Sequence, residues 1–182
     1  SSSAASDVYK RQIRVTQNAE LIFGAYTFFG SSIKFICSNK IKIGAYTRCA
    51  YESQFVDSNF HFVLNMKTGN VTRRESEILI GKCNWIGNRT SITKGSKTKD
   101  FSIICAGSLM NKDYTQNEEN FIMLGGSPAK VLTSGLKRIF STEIEKDIIY
   151  FFNNNPKANN YNLTSELSDD FKDIHYWFEH MM

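Results

Sequence analysis

One histidine lies between residues 1 and 174, and its chemistry makes it the first candidate for a catalytic group. His61 closes the segment Asp57–His61 and opens the longest stretch of the chain that follows no repeat. An imidazole titrates near neutral pH, so it can take a proton from an attacking hydroxyl and return it to a leaving group. We therefore predict that His61 is a general base.

Asp57 precedes His61 by four residues and has two interpretations. Its carboxylate could accept a hydrogen bond from the imidazole and so orient the ring. Alternatively, it bonds to backbone groups at a corner of the fold, as Asp side chains do in turns. Both interpretations stay open at this point.

Metal and thiol chemistry have less support. The cysteines Cys37, Cys49, Cys83 and Cys105 are 12, 34 and 22 residues apart, without the close pairs of zinc ribbons and redox motifs. The other histidines, at positions 175 and 180, do not have the i, i+4 spacing of a helical metal pair. We predict structural thiols in a reducing, cytoplasmic compartment and no metal.

The amino-acid composition and the distribution of charge indicate which kinds of binding partner are less favoured. The 182 residues are 41% hydrophobic, enough for one core, and the net charge of +4 is scattered along the chain. These features argue against a nucleic-acid partner, and no apolar run reaches membrane-spanning length. Residues 1–12 are small and polar, so we interpret them as a non-native or disordered leader without a targeting signal.

A six-residue period over Ile80–Thr115 indicates the elements that position these groups. The first positions of the units are Ile80, Ile86, Ile92, Thr98, Ile104 and Met110. The fifth positions are Asn84, Thr90, Ser96, Ser102, Ser108 and Tyr114. Neither a helix nor a single strand has this period, so the repeat predicts an all-β solenoid built from stacked units.

Groups of three units predict a triangular coil. Ile43–Phe60 is one complete turn, and Ile80–Lys97 and Thr98–Thr115 are the next two. The 19 residues between them, 61–79, form a loop that leaves between whole turns. An earlier, looser turn at Phe23, Phe29 and Phe35 is offset by two residues.

Two kinds of residue test this interpretation of the coils. Thr98 is the polar exception among the apolar first positions. Gly44, Gly81 and Gly87 take second positions, where we expect corners whose sharp bend disfavours a Cβ.

The C-terminal part predicts helices. Thr142 and Glu145 form a capping box, followed by an apolar face of Ile144, Ile148, Phe151 and Phe152. Residues 153–162 are predicted as a linker. A last amphipathic helix contains Leu167, Phe171, Ile174 and Phe178, with Glu166, Asp169 and Asp170 in its first turn. The predicted division is a β-helix over 13–132 and a helical extension over 133–182.

Three segments carry a family likeness. Residues 80–87 (IGKCNWIG), 106–113 (AGSLMNKD) and 125–131 (GGSPAKV) resemble consecutive signatures of hexapeptide-repeat acyltransferases, and most of all the bacterial O-acetyltransferases of sugars and surface polysaccharides. The likeness covers roughly residues 23–140. It implies a left-handed parallel β-helix, a homotrimer, and acetyl-CoA bound in clefts between adjacent prisms. It also implies transfer of acetyl to a hydroxyl of a saccharide acceptor.

The same likeness implies roles for individual residues. In the family, the catalytic histidine follows an Asp-x-Asp-Phe run in a loop that leaves the prism. Here Asp57–His61 is similar, with Asn59 in place of the second acid, so the likeness supports His61 and Asp57 as the catalytic residues. It implies that Trp85, Ala106, Gly107 and Ser108 bind the cofactor. Lys112 and Lys130 are candidates for binding its nucleotide phosphates, with solvated surface charges as the alternative interpretation.

Two other functions compete with this hypothesis. The metal-dependent, carbonic-anhydrase-like branch of the prism fold needs about three histidine ligands for each zinc, and the predicted prism offers one in each chain. A non-catalytic scaffold or surface-binding solenoid needs a flat array of identical outward residues, whereas the outward positions here vary among Lys, Asn, Arg and Asp.

Overall fold

A computed structural model of the chain describes residues 12–164 and 171–180. Its strands are β1 (Gln12–Val15), β2 (Glu20–Phe23), β3 (Phe28–Phe29), β4 (Lys34–Cys37), β5 (Lys40–Ile43), β6 (Arg48–Cys49), β7 (Gln54–Val56), β8 (Ile78–Ile80), β9 (Trp85–Ile86), β10 (Ser91–Thr93), β11 (Ile103–Ile104), β12 (Leu109–Met110), β13 (Met123–Gly126) and β14 (Ala129–Thr133). Its helices are α1 (Thr142–Asn154) and α2 (Lys172–His180). The predicted leader lies outside the described residues except for Gln12, which begins β1.

The strands form the three faces of a prism, and each face is a sheet of parallel strands. Face A contains β1, β4, β7, β10 and β12, and face B contains β2, β5 and β8. Face C contains β3, β6, β9, β11 and β13, with β14 added antiparallel at its edge. The chain visits faces B, C and A in turn, one six-residue unit for each face. In the turn that begins at Thr98, face B is represented only by the bridges of Lys97 to Leu79 and Asp113. The predicted left-handed parallel β-helix is confirmed.

The register explains both irregularities of the repeat. Phe23, Phe29 and Phe35 pair with residues 20 positions later, at 43, 49 and 55, because two extra residues lengthen the corner at Ser38–Asn39. The loop leaves where face A passes to face B, after β7, and the chain returns in β8. The break therefore falls between turns, as predicted.

The core is one column of inward first-position side chains. Ile43, Phe55, Ile86, Ile92 and Met110 have no exposed surface. Phe35 and Phe55 stack with their ring centroids 4.7 Å apart. Burial of such aliphatic and aromatic side chains stabilises the coil by about 1.5–3 kcal/mol each.

Buried hydroxyls at the fifth positions satisfy the backbone at the corners. Thr47 Oγ1 donates to Gly81 O at 3.1 Å, and Ser108 Oγ donates to Cys105 O at 2.7 Å. Thr98 has a similar function, since its Oγ1 donates to Asn84 Oδ1 at 2.9 Å and accepts from Gly81 N at 3.1 Å. The polar exception in the column is thus a bonded group that ties two turns together.

The second-position glycines are needed for a different reason from the predicted one. A Cβ on Gly81 would lie 2.5 Å from the carbonyl carbon and oxygen of Lys99 in the next turn, and one on Gly44 would lie 2.5 Å from Gly81. The bend itself occurs two residues later, at fourth positions such as Tyr46 and Arg89, which have φ values of 60° and 56°. Close approach of neighbouring turns, and not the bend, excludes a side chain.

The chain divides into two compact units, with the boundary between Lys137 and Arg138, five residues beyond the predicted position. In the second unit, Ser141 caps α1, and its Oγ accepts a hydrogen bond from Ile144 N at 3.4 Å. The prediction of Thr142 as the cap is therefore wrong by one residue. The helix also includes the first two residues of the predicted linker. Of the last predicted helix, α2 is described, whereas Glu166, Leu167, Asp169 and Asp170 lie outside the described residues.

Candidate functional site

The loop between β7 and β8 is a structured arm. Ser58 and Glu75 form an antiparallel bridge at its base, and Leu64 and Val71 form another near its tip. Ser76 N donates to Asp57 O at 3.0 Å, where the two strands of the arm meet the prism. We call residues 58–76 the arm. Paired backbone groups give it a defined shape, so the residues on it have defined positions.

His61 lies exposed on the outgoing strand of the arm. Its backbone N donates to Asn59 O at 2.7 Å, closing a three-residue turn centred on Phe60, which has a φ of 62°. Within the described residues, no hydrogen bond or ion pair occupies the imidazole. The ring is therefore accessible to a substrate, as a general base must be.

Asp57 is fully buried at the base of the arm. Its Oδ1 accepts from Ser38 N at 2.7 Å, and its Oδ2 accepts from Asn39 N at 2.8 Å. Cys37 Sγ lies 3.6 Å from the same carboxylate, and burial together with the charge of Asp57 raises the pKa of that thiol to about 11. The contacts of Asp57 in the single chain are those of a corner residue bonded to backbone, with no bond to the imidazole.

Three predicted cofactor residues lie where a ligand could reach them. Trp85 on face C points outward and is 46% exposed. Its pairing partners on the two neighbouring strands are Arg48 and Ile103. Ala106 and Gly107 form an exposed turn at the corner between faces C and A. Apart from the two chain neighbours of Gly107, no heavy atom of the described residues lies within 4 Å of the position of a Cβ on this glycine, so the space beside the turn is open.

The other three are placed differently. Ser108 is buried, and because its hydroxyl bonds to Cys105 O, only its backbone could face a ligand. Lys112 is exposed near the corner between faces A and B, with its ammonium 5.4 Å from the ring centroid of Tyr114. Lys130 is exposed in β14.

Within one chain, the predicted site residues are therefore spread around the prism. The arm with His61 leaves from the corner between faces A and B, whereas Ala106 and Gly107 lie at the corner between C and A. One flat side of the prism separates these corners. Among the described residues, no bond or ring contact joins His61 to any predicted cofactor residue. A single copy therefore keeps His61 apart from Trp85, Ala106 and Gly107, whereas Lys112 lies at the same corner as the arm, on a later turn.

From the sequence, the charged residues Arg73, Arg74, Glu75 and Glu77 of the loop are predicted to shape an acceptor pocket. The contacts of Arg74 and the exposed apolar side chains of the arm did not follow from the sequence. Arg74 lies on the returning strand of the arm, between Val71 and Glu75, and its guanidinium carbon is 4.7 Å from the centroid of the Phe62 ring. Phe62 and Met66 are 66% and 86% exposed. Their only signal in the sequence was the run of apolar residues after His61, in a segment without periodicity.

Two negative observations concern the described part of the chain. It contains no group of three His, Cys, Asp or Glu side chains that could hold a metal ion. Neither of its helices combines the length and the hydrophobicity that crossing a bilayer requires.

No protein-family profile and no curated protein matches the chain by sequence. Solved acetyltransferase structures share its fold. The polysialic-acid-specific acetyltransferase NeuO superimposes with a TM-score of 0.62 at 19% identity, over 95% of this chain and 74% of NeuO. A maltose O-acetyltransferase from Clostridium difficile 630 has a TM-score of 0.52 at 27% identity, over 68% of this chain and 66% of that protein.

A third similar structure carries coenzyme A. It is a mutant of AntD, an N-acyltransferase from Bacillus cereus, in complex with a dTDP-amino sugar and coenzyme A. It superimposes with a TM-score of 0.52 at 11% identity, over 78% of this chain and 85% of AntD. These similar structures are acyltransferases, among them O-acetyltransferases of sugars.

Proposed function

We propose that the protein is an acetyltransferase that moves an acetyl group from acetyl-CoA to a hydroxyl of a saccharide, with His61 as the general base. The observation that carries this proposal is an unoccupied, exposed imidazole on a structured arm of a β-helix shared with sugar acetyltransferases. The similar structures support the reaction class, whereas the choice of His61 rests on its accessibility and its chemistry.

In the proposed reaction, the His61 imidazole takes the proton of the acceptor hydroxyl as its oxygen attacks the thioester carbonyl. The new C–O bond forms, the C–S bond breaks, and the imidazolium returns the proton to the departing thiolate. One imidazole thus acts as base and then as acid, so the enzyme leaves the cycle in its starting protonation state.

For acetyl-CoA, we propose a groove along the corner between faces C and A. The open space beside Gly107 and the exposed Ala106 would let the pantetheine arm run close to the backbone, where Ser108 contributes only main-chain atoms. The outward indole of Trp85 would line the groove. Lys130 in β14, at the edge of face C, would meet the nucleotide phosphates, where a flexible ammonium acts as a point charge. Lys112, near the corner between faces A and B, lies outside this groove.

Because the arm and this groove lie at different corners of the same chain, a second copy would complete the site. We propose a homotrimer in which the arm of one chain faces the groove of its neighbour. The exposed apolar side chains of the arm support self-association, since soluble chains seldom leave such groups on a structured surface. The free thiols of all four cysteines fit the reducing cytoplasm, which we propose as the compartment.

The test compares two histidine variants. We expect His61→Ala to lower the kcat of acetyl transfer by about 10²- to 10⁴-fold, because it removes the only base proposed for the reaction. His180→Ala, on helix α2, is the matched control and should keep full activity. Turnover of acetyl-CoA is measured with a panel of saccharide acceptors, and sedimentation checks the assembly. Equal rates in both variants would exclude His61 as the base, and an absence of acetyl-CoA binding heat would favour the scaffold hypothesis.

A further inference from the structure

The backbone turn immediately before His61 is strained. Phe60 has a φ of 62°, and the bond from His61 N to Asn59 O spans only three residues. Turns of this type with a positive central φ are rare. In a non-glycine residue this conformation costs free energy, so it persists only where the surrounding structure holds it. Phe60 lies on the arm, outside the repeated corners of the coil. Something on the arm must therefore hold this turn.

Arg74 contacts the residues on both sides of His61. Its Nη1 donates to Phe60 O at 3.4 Å, and its guanidinium carbon lies 4.7 Å from the ring centroid of Phe62. Its own carbonyl accepts from Asn59 N at 3.0 Å. Glu75 Oε1 lies 3.1 Å from Nη2 and directs the guanidinium from the other side. One side chain thus holds the segment from which the imidazole projects.

Stability alone does not account for this placement. The Nε atom of Arg74 is buried and has no acceptor among the described residues. A buried donor without a partner costs free energy, and such groups in folded proteins call for an explanation. A guanidinium carries its N–H donors in a rigid planar fork, so it contacts a ring and bonds to a carbonyl in a fixed geometry that a lysine ammonium does not reproduce.

We propose that Arg74 is a positioning residue, which fixes the direction of the His61 imidazole by holding the Phe60 turn and the Phe62 ring. This inference rests on the proposed function, because it gives Arg74 a role only if His61 is the base. In this role Arg74 acts through His61 and not through a bond of its own to either substrate. Misplacing a base by about 1 Å can cost on the order of 100-fold in rate.

The first experiment compares neighbouring arginines. Arg74→Gln should lower kcat about 10- to 100-fold while the KM for acetyl-CoA, the oligomeric state and the melting temperature stay close to those of the parent. Arg73→Gln is the matched control, because the side chain of Arg73 is exposed and its bond from Lys94 Nζ, 2.7 Å long, uses only the backbone carbonyl. Arg74→Lys should stay well below the parent. Equal kcat in Arg73→Gln and Arg74→Gln, or full activity in Arg74→Lys, would overturn the proposal.

A double variant separates this inference from the proposed function. If Arg74 acts through His61, adding Arg74→Gln to His61→Ala lowers the residual rate no further. A further 10-fold loss in the double variant would mean that Arg74 acts independently, which refutes positioning while His61 stays the base. Full activity of His61→Ala alone would instead refute the proposed function, and the positioning role with it.

Discussion

At the scale of single residues, the buried carboxylate of Asp57 shows how the arm is attached to the prism. It accepts two short hydrogen bonds from the backbone of Ser38 and Asn39, the two residues that lengthen the neighbouring corner. Bonds to a charged acceptor contribute about 1.5–3 kcal/mol each, and removing the acceptor leaves the donors unsatisfied. Asp57 therefore joins the base of the arm to the preceding turn of the coil.

We expect Asp57→Ala to lower the free energy of unfolding by about 2–4 kcal/mol, as measured by urea denaturation. Asp100→Ala is the control, because the exposed Asp100 carboxylate accepts only one such bond, from Lys82 N at 2.7 Å, and its loss should cost about 1 kcal/mol. Folded Asp57→Asn should keep most of its acetyl transfer. A large loss of activity at unchanged stability would instead favour the interpretation in which Asp57 orients His61.

The partners of Asp57 show where inference from the sequence stops. The accessibility of His61 followed from its place after the last unit of a turn. The bonds to Ser38 and Asn39 did not, because they connect residues 18 and 19 positions apart across a corner whose two extra residues break the repeat. The role of Arg74 was also hidden, since it depends on how two strands of an aperiodic arm pair.

At the scale of elements, the spacing between turns decides which residues are tolerated. Neighbouring strands of a sheet lie about 4.8 Å apart, and at Gly81 the backbone of Lys99 fills the space that a Cβ would need. The conformation of Gly69, at the tip of the arm, is a contrasting case. Gly69 has a φ of 73°, and apart from its chain neighbours no described residue comes within 4 Å of an added Cβ, so only its backbone conformation favours glycine.

We expect Gly81→Ala to destabilise the protein by about 3 kcal/mol or more, because the turns would have to separate. Gly69→Ala should cost only about 1–2 kcal/mol, the usual cost of the left-handed conformation. Urea midpoints of the two variants provide the comparison. Equal shifts would mean that the prism relaxes around the methyl group, contrary to the close approach described here.

The elements also separate what periodicity can predict from what it cannot. Each unit buries one residue at its first position, so the period of six predicted the faces, the column and the place of the break. The start of α1 was harder, because both Ser141 and Thr142 are good caps. The cap is the residue with extended backbone, and Ser141 has φ −83° and ψ 120°. That conformation depends on the chain before it, not on the spacing of side chains.

At the scale of the whole molecule, the question is which chain supplies which part of the site. The arm with His61 and the turn at Ala106–Gly107 belong to different corners of one prism. A site that needs both is therefore shared between copies, and a homotrimer would repeat it at each of its equivalent interfaces. Such sharing makes a prediction that a site within one chain does not.

We expect two inactive variants to restore each other when mixed. His61→Ala removes the proposed base, and Ala106→Trp fills the proposed groove at an exposed position. After the two variants are unfolded, mixed in equal amounts and refolded, about a quarter of the interfaces would combine an intact His61 with an intact groove, because each chain is chosen with a probability of one half. Acetyl transfer should return to about that fraction of the parent's rate.

Mixing the proteins without unfolding them is the control, and it should restore no activity if the trimers do not exchange subunits. If the refolded mixture contains trimers but stays inactive, His61 and the intact groove must belong to the same chain. The proposal of a site shared between chains would then be wrong.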